Sequence, residues 1–259
     1  MGKVYTKGTR PVDYIAEYAR RYDTVEIDAT FYGTPRLTTV TGWKSRTPET
    51  FIFSAKAPQI ITHQKLLQDC GADLTEFLHT MDTLGPRLGP IVFQFPYFSR
   101  KYNIDEAEFL ARLASFIRSL PKDGHQWVVE VRNKAWVNSR LLEVLHGGGV
   151  ALALIDHPYM HRSEELLAID GILTSPIVYI RLLGDRYGIE KITKTWGEHV
   201  IDREQDLARW APAVKSILEK NHRVYTYVNS HYSGYAPGDV DRFYALLGIQ
   251  RDRGELLLF

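Results

Sequence analysis

The chain has 259 residues, 32 Lys and Arg against 31 Asp and Glu, a formal net charge of +1, and 44% hydrophobic residues. That balance argues against a protein that coats nucleic acid non-specifically, which needs a broad basic field. The one cysteine, Cys70, has no partner for an internal disulfide and cannot build a multi-cysteine metal site, and no run approaches the ~20 apolar residues that would span a bilayer.

In chain order, short β-rich apolar runs alternate with stretches of helical spacing. Val12, Ile15, Ala19 and Tyr22 form a first helical stripe, with Pro11 suited to an opening turn. A strand follows at 24–30, a short helix at 37–43 and a strand at 51–56. Leu74, Phe77, Leu78, Met81 and Leu84 predict the next helix, ahead of a strand at 91–95. Phe109, Leu110, Leu113, Phe116 and Ile117 continue the pattern before a strand at 127–132. Helix 140–145, strand 150–156, helix 163–168 and strand 177–182 come next. Leu207, Trp210, Ala211, Val214 and Leu218 mark a long helix, strand 224–229 follows, and helix 239–247 closes the series.

Strands that alternate with helices build a parallel sheet, and runs such as Ala151-Leu152-Ala153-Leu154-Ile155 are apolar on both faces, as buried parallel strands are. Eight helical stretches meet only seven strands. The expected fold is therefore a single TIM-type (β/α) barrel over residues 1–259, its first strand missing or poorly formed by residues 3–6. An open doubly wound sheet is the competitor, but no glycine-rich turn follows a first strand. Gly147-Gly148-Gly149 follows a helix and reads as a helix stop.

Polar residues gather towards the C-terminal end of each strand. Glu26 and Asp28 share one face, as do Ser54 and Lys56; Gln94 ends the third strand. Glu130 and Arg132 lie together, Asp156 follows Leu152 and Leu154, Arg181 follows Tyr179, and Asn229 follows Tyr225 and Tyr227. If these faces turn inward, every strand delivers a polar side chain to the rim where αβ barrels build their active sites. The alternative is an internal network in which three cations and three carboxylates satisfy one another. The following loops add Phe31, Tyr32, His63, Trp136, His157 and His231. Trp43 and Trp210 sit on helical stripes as core, and Trp196 lies in a long charged segment, 184–202, that reads as a lid or a solvated excursion.

The run Thr24-Val25-Glu26-Ile27-Asp28-Ala29-Thr30-Phe31-Tyr32 resembles the signature of the YecE-like family, domain-of-unknown-function family seventy-two. Phe51-Ile52-Phe53-Ser54-Ala55-Lys56, Ile61-Thr62-His63, Val92-Phe93-Gln94-Phe95-Pro96, Val129-Glu130-Val131-Arg132-Asn133 with Trp136, Tyr179-Ile180-Arg181 and Tyr225-Thr226-Tyr227-Val228-Asn229 resemble it in collinear order. The resemblance implies a TIM-type barrel and names no reaction. Two departures stand out. The opening strand of type Gly-Thr-Ser-Gly-Trp is absent, and Leu183 occupies the place where many members carry a histidine before the glycine.

The leading functional expectation is an enzyme acting on a small anionic or phosphorylated polar substrate. Arg132 and Arg181, with Lys56, would hold the anion. Glu130 and Asp156 would act as acid and base, with Glu26 and Lys56 as further catalytic candidates. Gln94, Asn229, His63, Tyr32 and Trp136 would bind and orient the substrate. Lys56 as a Schiff-base nucleophile is a lesser variant. A second expectation is a metal-dependent phosphodiesterase or nucleic-acid binder of the endonuclease IV type, with His63, Glu130, Asp156, His157 and His231 near a divalent ion. These show no metal-ligand spacing, so no cofactor and no metal ligand are assigned, and nucleic acid is the less favoured partner. A third is a non-catalytic ligand-binding protein. No membrane partner is expected, and the lone cysteine with an opening Met1-Gly2-Lys3-Val4 points to the cytoplasm. Cys70 reads as a small buried hydrophobe.

Overall fold

The computed structural model describes residues 4–6 and 8–250. Seven parallel strands stand side by side in chain order: β1 (Thr24–Ile27), β2 (Ile52–Lys56), β3 (Leu88–Gln94), β4 (Trp127–Glu130), β5 (Ala151–Asp156), β6 (Ile177–Leu182) and β7 (Arg223–Val228). They curl into a nearly closed TIM-like barrel whose seam lies between β7 and β1. Among the described residues these two strands do not pair. Residues 4–6 form no strand, and Lys3, included in the expected first strand, lies outside the described residues.

Nine α-helices are present among the described residues: α1 (Tyr14–Ala19), α2 (Leu37–Ser45), α3 (Gly71–Met81), α4 (Glu106–Ser119), α5 (Ser139–Gly148), α6 (Ser163–Leu167), α7 (Arg186–Ile192), α8 (Glu204–Glu219) and α9 (Ala236–Leu247). Eight answer to expected stretches. The ninth, α7, falls inside the 184–202 segment, where Asp185 caps it by accepting from the Gly188 amide at 3.0 Å. α1 covers only part of the first stripe: Pro11–Asp13 is a tighter 3-10 turn, and Val12 is exposed. α5 stops at Gly149, whose positive φ of 64° suits a residue without a Cβ, so the triple glycine ends a helix.

The core sits between barrel and helices. Phe93 meets Phe116 of α4, and Trp210 of α8 is almost wholly buried. Trp43 packs against this core while only partly buried, and Cys70 is buried just ahead of α3. Strand register decides which side chains enter the barrel. Glu26 pairs with Ser54, Gln94 with Glu130, Ile155 with Arg181, and Arg181 with Tyr227. With Arg181 inward, Ile155 is inward too, so Asp156 faces the helices.

Candidate ligand site at the barrel rim

Within the barrel mouth, Arg181 joins strands that are distant in sequence. Its Nη1 donates to Glu130 Oε2 at 2.6 Å, and its Nη2 donates to Glu26 Oε1 at 2.5 Å. Tyr179, one inward position below, donates its hydroxyl to Glu26 Oε2 at 2.5 Å and lies 2.8 Å from the Ser54 hydroxyl. Arg132 Nε donates to the other Glu130 oxygen at 2.5 Å. Glu130 is fully buried, and Arg181 nearly so. Charges this deep are tolerable only when paired, because desolvation costs several kcal/mol per ion. Here the carboxylates and the Arg181 guanidinium ends satisfy one another. Arg181 Nε alone has no hydrogen-bond partner.

The electrostatics follow from that arrangement. Burial alone would raise the Glu130 pKa, but Arg132 and Arg181 reverse the effect and hold it at about 2. Burial opposes the charge on Arg181, and Glu130 with Glu26 more than restores it. Tyr179 is pushed upward, first by burial and then by Glu26. Glu130 is thus a fixed anion and a poor proton acceptor near neutrality.

Towards solvent the mouth changes character. Lys56 Nζ lies 3.2 Å from Asp28 Oδ1 and 4.6 Å from the centre of the Phe31 ring. Asp28, whose side chain is 59% exposed, also approaches Arg181 Nη2 at 4.0 Å. The His63 imidazole meets the edge of Phe31 at 5.0 Å, and burial together with Lys56 and Arg132 lowers its pKa to about 4. Burial and Arg132 lower that of His157 as well. Two imidazoles held towards the neutral form therefore sit in the field of Arg132. Tyr32 is exposed at the edge of Phe31, 5.5 Å centre to centre.

Of the remaining expected site residues, Gln94 keeps the inner face and Asn229 lines one cavity with Asp28 and Arg181, while Asp156 and Trp136 go elsewhere. Asp156 Oδ2 accepts from Trp210 Nε1 at 2.8 Å and from the Tyr232 hydroxyl at 3.1 Å, tying β5 to α8 and to the loop after β7. Burial raises its pKa against those hydrogen bonds. Because β5 is apolar on both faces, alternation in the sequence could not tell its inner face from its outer one. Trp136 stacks on Phe98 and Phe109, at 5.1 and 5.2 Å, in an aromatic cluster beside α4. Gln94 lies on the inner face opposite Glu130 and donates to the Phe95 carbonyl at 3.1 Å. Asn229 Oδ1 accepts from the His231 amide at 2.9 Å and organises its own loop. His231 in turn meets Glu190 of α7 at 3.2 Å and Trp196 at 4.7 Å, so the 184–202 segment leans on the β7 loop.

Sequence reasoning underweighted Asp28 and His157. The signal for Asp28 was present in its position two residues after Glu26. Among the described residues, no three His, Cys, Asp or Glu side chains form a group that could hold a metal ion. Among the described residues, no helix is long and apolar enough to cross a membrane.

A parallel αβ barrel with a buried Glu–Arg–Glu bridge beneath a mouth that carries Lys56, Asp28 and Arg132 defines the class. The chain belongs to the DUF72 family of proteins of unknown function, whose family model matches residues 1–256. It is 29% identical over 216 residues to the UPF0759 protein YecE of Escherichia coli (strain K12), covering 76% of this chain and 74% of that protein. A DUF72 family protein from Thermotoga maritima MSB8 superposes with a TM-score of 0.68 at 21% identity, covering 96% of this chain and 94% of that one. One from Enterococcus faecalis V583 gives 0.66 at 20% identity, covering 91% and 94%. At these identities the two structures bear on the fold alone.

Proposed function

We propose that the chain is an enzyme that binds a small anionic or phosphorylated polar substrate at the C-terminal mouth of the barrel. One observation carries this reading: the Lys56 ammonium lies 4.6 Å from the centre of the Phe31 ring, which meets the His63 imidazole at 5.0 Å, so a cation and an imidazole share one aromatic wall. An anionic group there is attracted by Lys56 and meets a neutral imidazole that can hydrogen-bond to it. The buried Glu26–Arg181–Glu130 bridge holds Arg132 in place through Glu130. Phe31 and Tyr32 supply an aromatic wall for the apolar side of a ring.

The acid–base groups of this reading differ from a simple Glu130 and Asp156 pair. Glu130 is locked as an anion between two arginines, and Asp156 faces α8. The groups able to exchange a proton with a ligand in the mouth are His63 and His157.

Titration calorimetry with inorganic phosphate and a panel of sugar phosphates tests the binding step. Lys56→Met should weaken binding at least about tenfold, the loss of one charge-assisted contact, while the thermal midpoint shifts by only a few degrees; Arg132→Ala should weaken it as much and also lower the midpoint, because the buried Glu130 loses a partner. Unchanged affinity in both variants would overturn the proposal.

A further inference from the structure

The exposed aromatic side chains are sorted onto one end of the barrel. Among the described residues they are Tyr32, Tyr97, Tyr159, Tyr187 and Trp196, with the tyrosines running from 62% exposed at Tyr97 to 77% at Tyr187. Each follows the C-terminal end of β1, β3, β5 or β6, ahead of the helix that returns to the next strand. In a parallel barrel all such connections open on the same face as the mouth. The return connections, from helix to strand, expose no aromatic ring among the described residues. A single exposed apolar residue needs no explanation, but five aromatics gathered on one face mark a contact surface.

Charge is sorted with them. The connections on this face, residues 28–36, 57–70, 95–105, 131–138, 157–162, 183–203 and 229–235, hold eleven Lys and Arg against seven Asp and Glu. The return connections hold six against five. Most carboxylates of the mouth face are engaged. Asp105, Asp185 and Asp202 accept the amides of Glu108, Gly188 and Glu204, Asp28 pairs with Lys56, and Glu190 pairs with Arg186. The ion pairs of this face go to cations such as Arg132, Lys134 and Arg186. Among the described residues, Arg36, Arg100, Lys101, Arg162 and Lys191 have no carboxylate in salt-bridge reach, and all five are exposed. Their positions follow a rule. Arg36 comes after Tyr32, Arg100 and Lys101 after Tyr97, Arg162 after Tyr159 and Lys191 after Tyr187, each three or four residues on. Two of these pairs meet at the mouth: Arg186, whose pKa is raised first by Glu190, is also acted on by the Tyr187 and Tyr32 hydroxyls.

We propose that this face binds single-stranded nucleic acid, with bases stacked on the exposed tyrosines and phosphates held by the cations that follow them. A flat ring beside an uncompensated cation, repeated four times, matches a polymer that repeats a base with a phosphate. The strand must be single, because the bases of a duplex are stacked on one another and offer no open face. An acidic glycan also combines rings with charge, but its hydroxyls need acceptors, and the carboxylates here are mostly taken. A protein partner fits less well, since protein interfaces are depleted in lysine. The near-neutral chain excludes a broad basic field, and the basic excess is confined to this one face. Binding of this kind uses the rim and is independent of the small anion at the mouth.

Fluorescence anisotropy of the full chain with a labelled single strand of about 12 nucleotides, as RNA and as DNA, tests this at about 50 mM salt. At least one strand should bind, with a log–log salt slope of about −2 to −3 from three or four phosphate contacts. Tyr97→Ala and Tyr187→Ala should each weaken binding at least about fivefold. Tyr97→Phe and Tyr187→Phe should stay within about twofold of wild type, because the ring and not the hydroxyl stacks. Arg100→Ala combined with Lys101→Ala should flatten the salt slope by about 1. All these side chains are exposed, so the thermal midpoint should move by no more than about 2 °C. Absence of binding by both strands at this salt overturns the proposal. Equal affinity for the matching duplex overturns it, leaving charge alone as the attraction. Binding of an oligogalacturonate in place of either strand assigns the face to an acidic glycan and overturns it too. Unchanged affinity in both tyrosine-to-alanine variants does the same.

Discussion

Glu130 shows how one residue can carry both position and charge at the mouth. Both of its oxygens are taken by arginines; Arg181 keeps Glu26 as a second partner, whereas Arg132 has no other carboxylate in salt-bridge reach among the described residues. Glu130→Ala should therefore cost about 3 kcal/mol, since it leaves Arg132 unpaired and takes one of two carboxylates from the buried Arg181, and chemical unfolding measures this directly. The pH dependence has a definite sign. A folded pKa of about 2, below the ordinary 4.5, means that this stabilisation is present above the ordinary value and is lost as pH falls towards 2. Urea midpoints between about pH 6 and pH 2 should fall in the wild-type protein, with about 3 kcal/mol traceable to this carboxyl by comparison with Glu130→Gln. Asp156 makes the opposite case. Asp156→Asn keeps an oxygen for Trp210 and Tyr232 and faces away from the mouth, so phosphate affinity should stay within about twofold of wild type.

At the scale of elements, the helices were legible because their stripes are periodic and their ends are punctuated. Asn138 accepts from the Arg140 and Leu141 amides at 3.0 and 3.4 Å and caps α5, while Gly149 ends it. Asn138→Ala should lower stability by about 1 kcal/mol without altering ligand affinity, a difference visible in a thermal melt. α7 was illegible for the opposite reason. Its seven residues, Arg186–Ile192, bury only Ile189, too little to print a stripe, and tertiary contacts with the β7 loop hold it there. The tight approach of those loops also explains Gly184: its φ is 67°, and a Cβ there would lie 2.5 Å from the His231 carbonyl oxygen.

Across the whole molecule, the near-zero net charge conceals a sorted interior. Glu26 and Glu130 flank Arg181 at depth and leave one negative charge that Arg132 balances, while Lys56 pairs with Asp28 at the mouth where solvent enters. Binding of an anion there should weaken as ionic strength rises, by a few-fold between about 50 and 500 mM salt, with the thermal midpoint changing little. A salt-independent affinity would place the anion elsewhere.

Strand count, parallel order and the polar strand ends all follow from local periodicity, which any single stretch of chain displays. The family resemblance rests on those same runs. Which way β5 turns Asp156, that Trp136 joins Phe98 and Phe109 and leaves the mouth, and that Glu130 is bound between two arginines are decided only when strands far apart in sequence are brought into register. The open seam belongs to the same class: each edge strand looks ordinary in sequence, and the gap exists only in the relation of β7 to β1. Facing and pairing are properties of neighbours, and a barrel chooses its neighbours by closure.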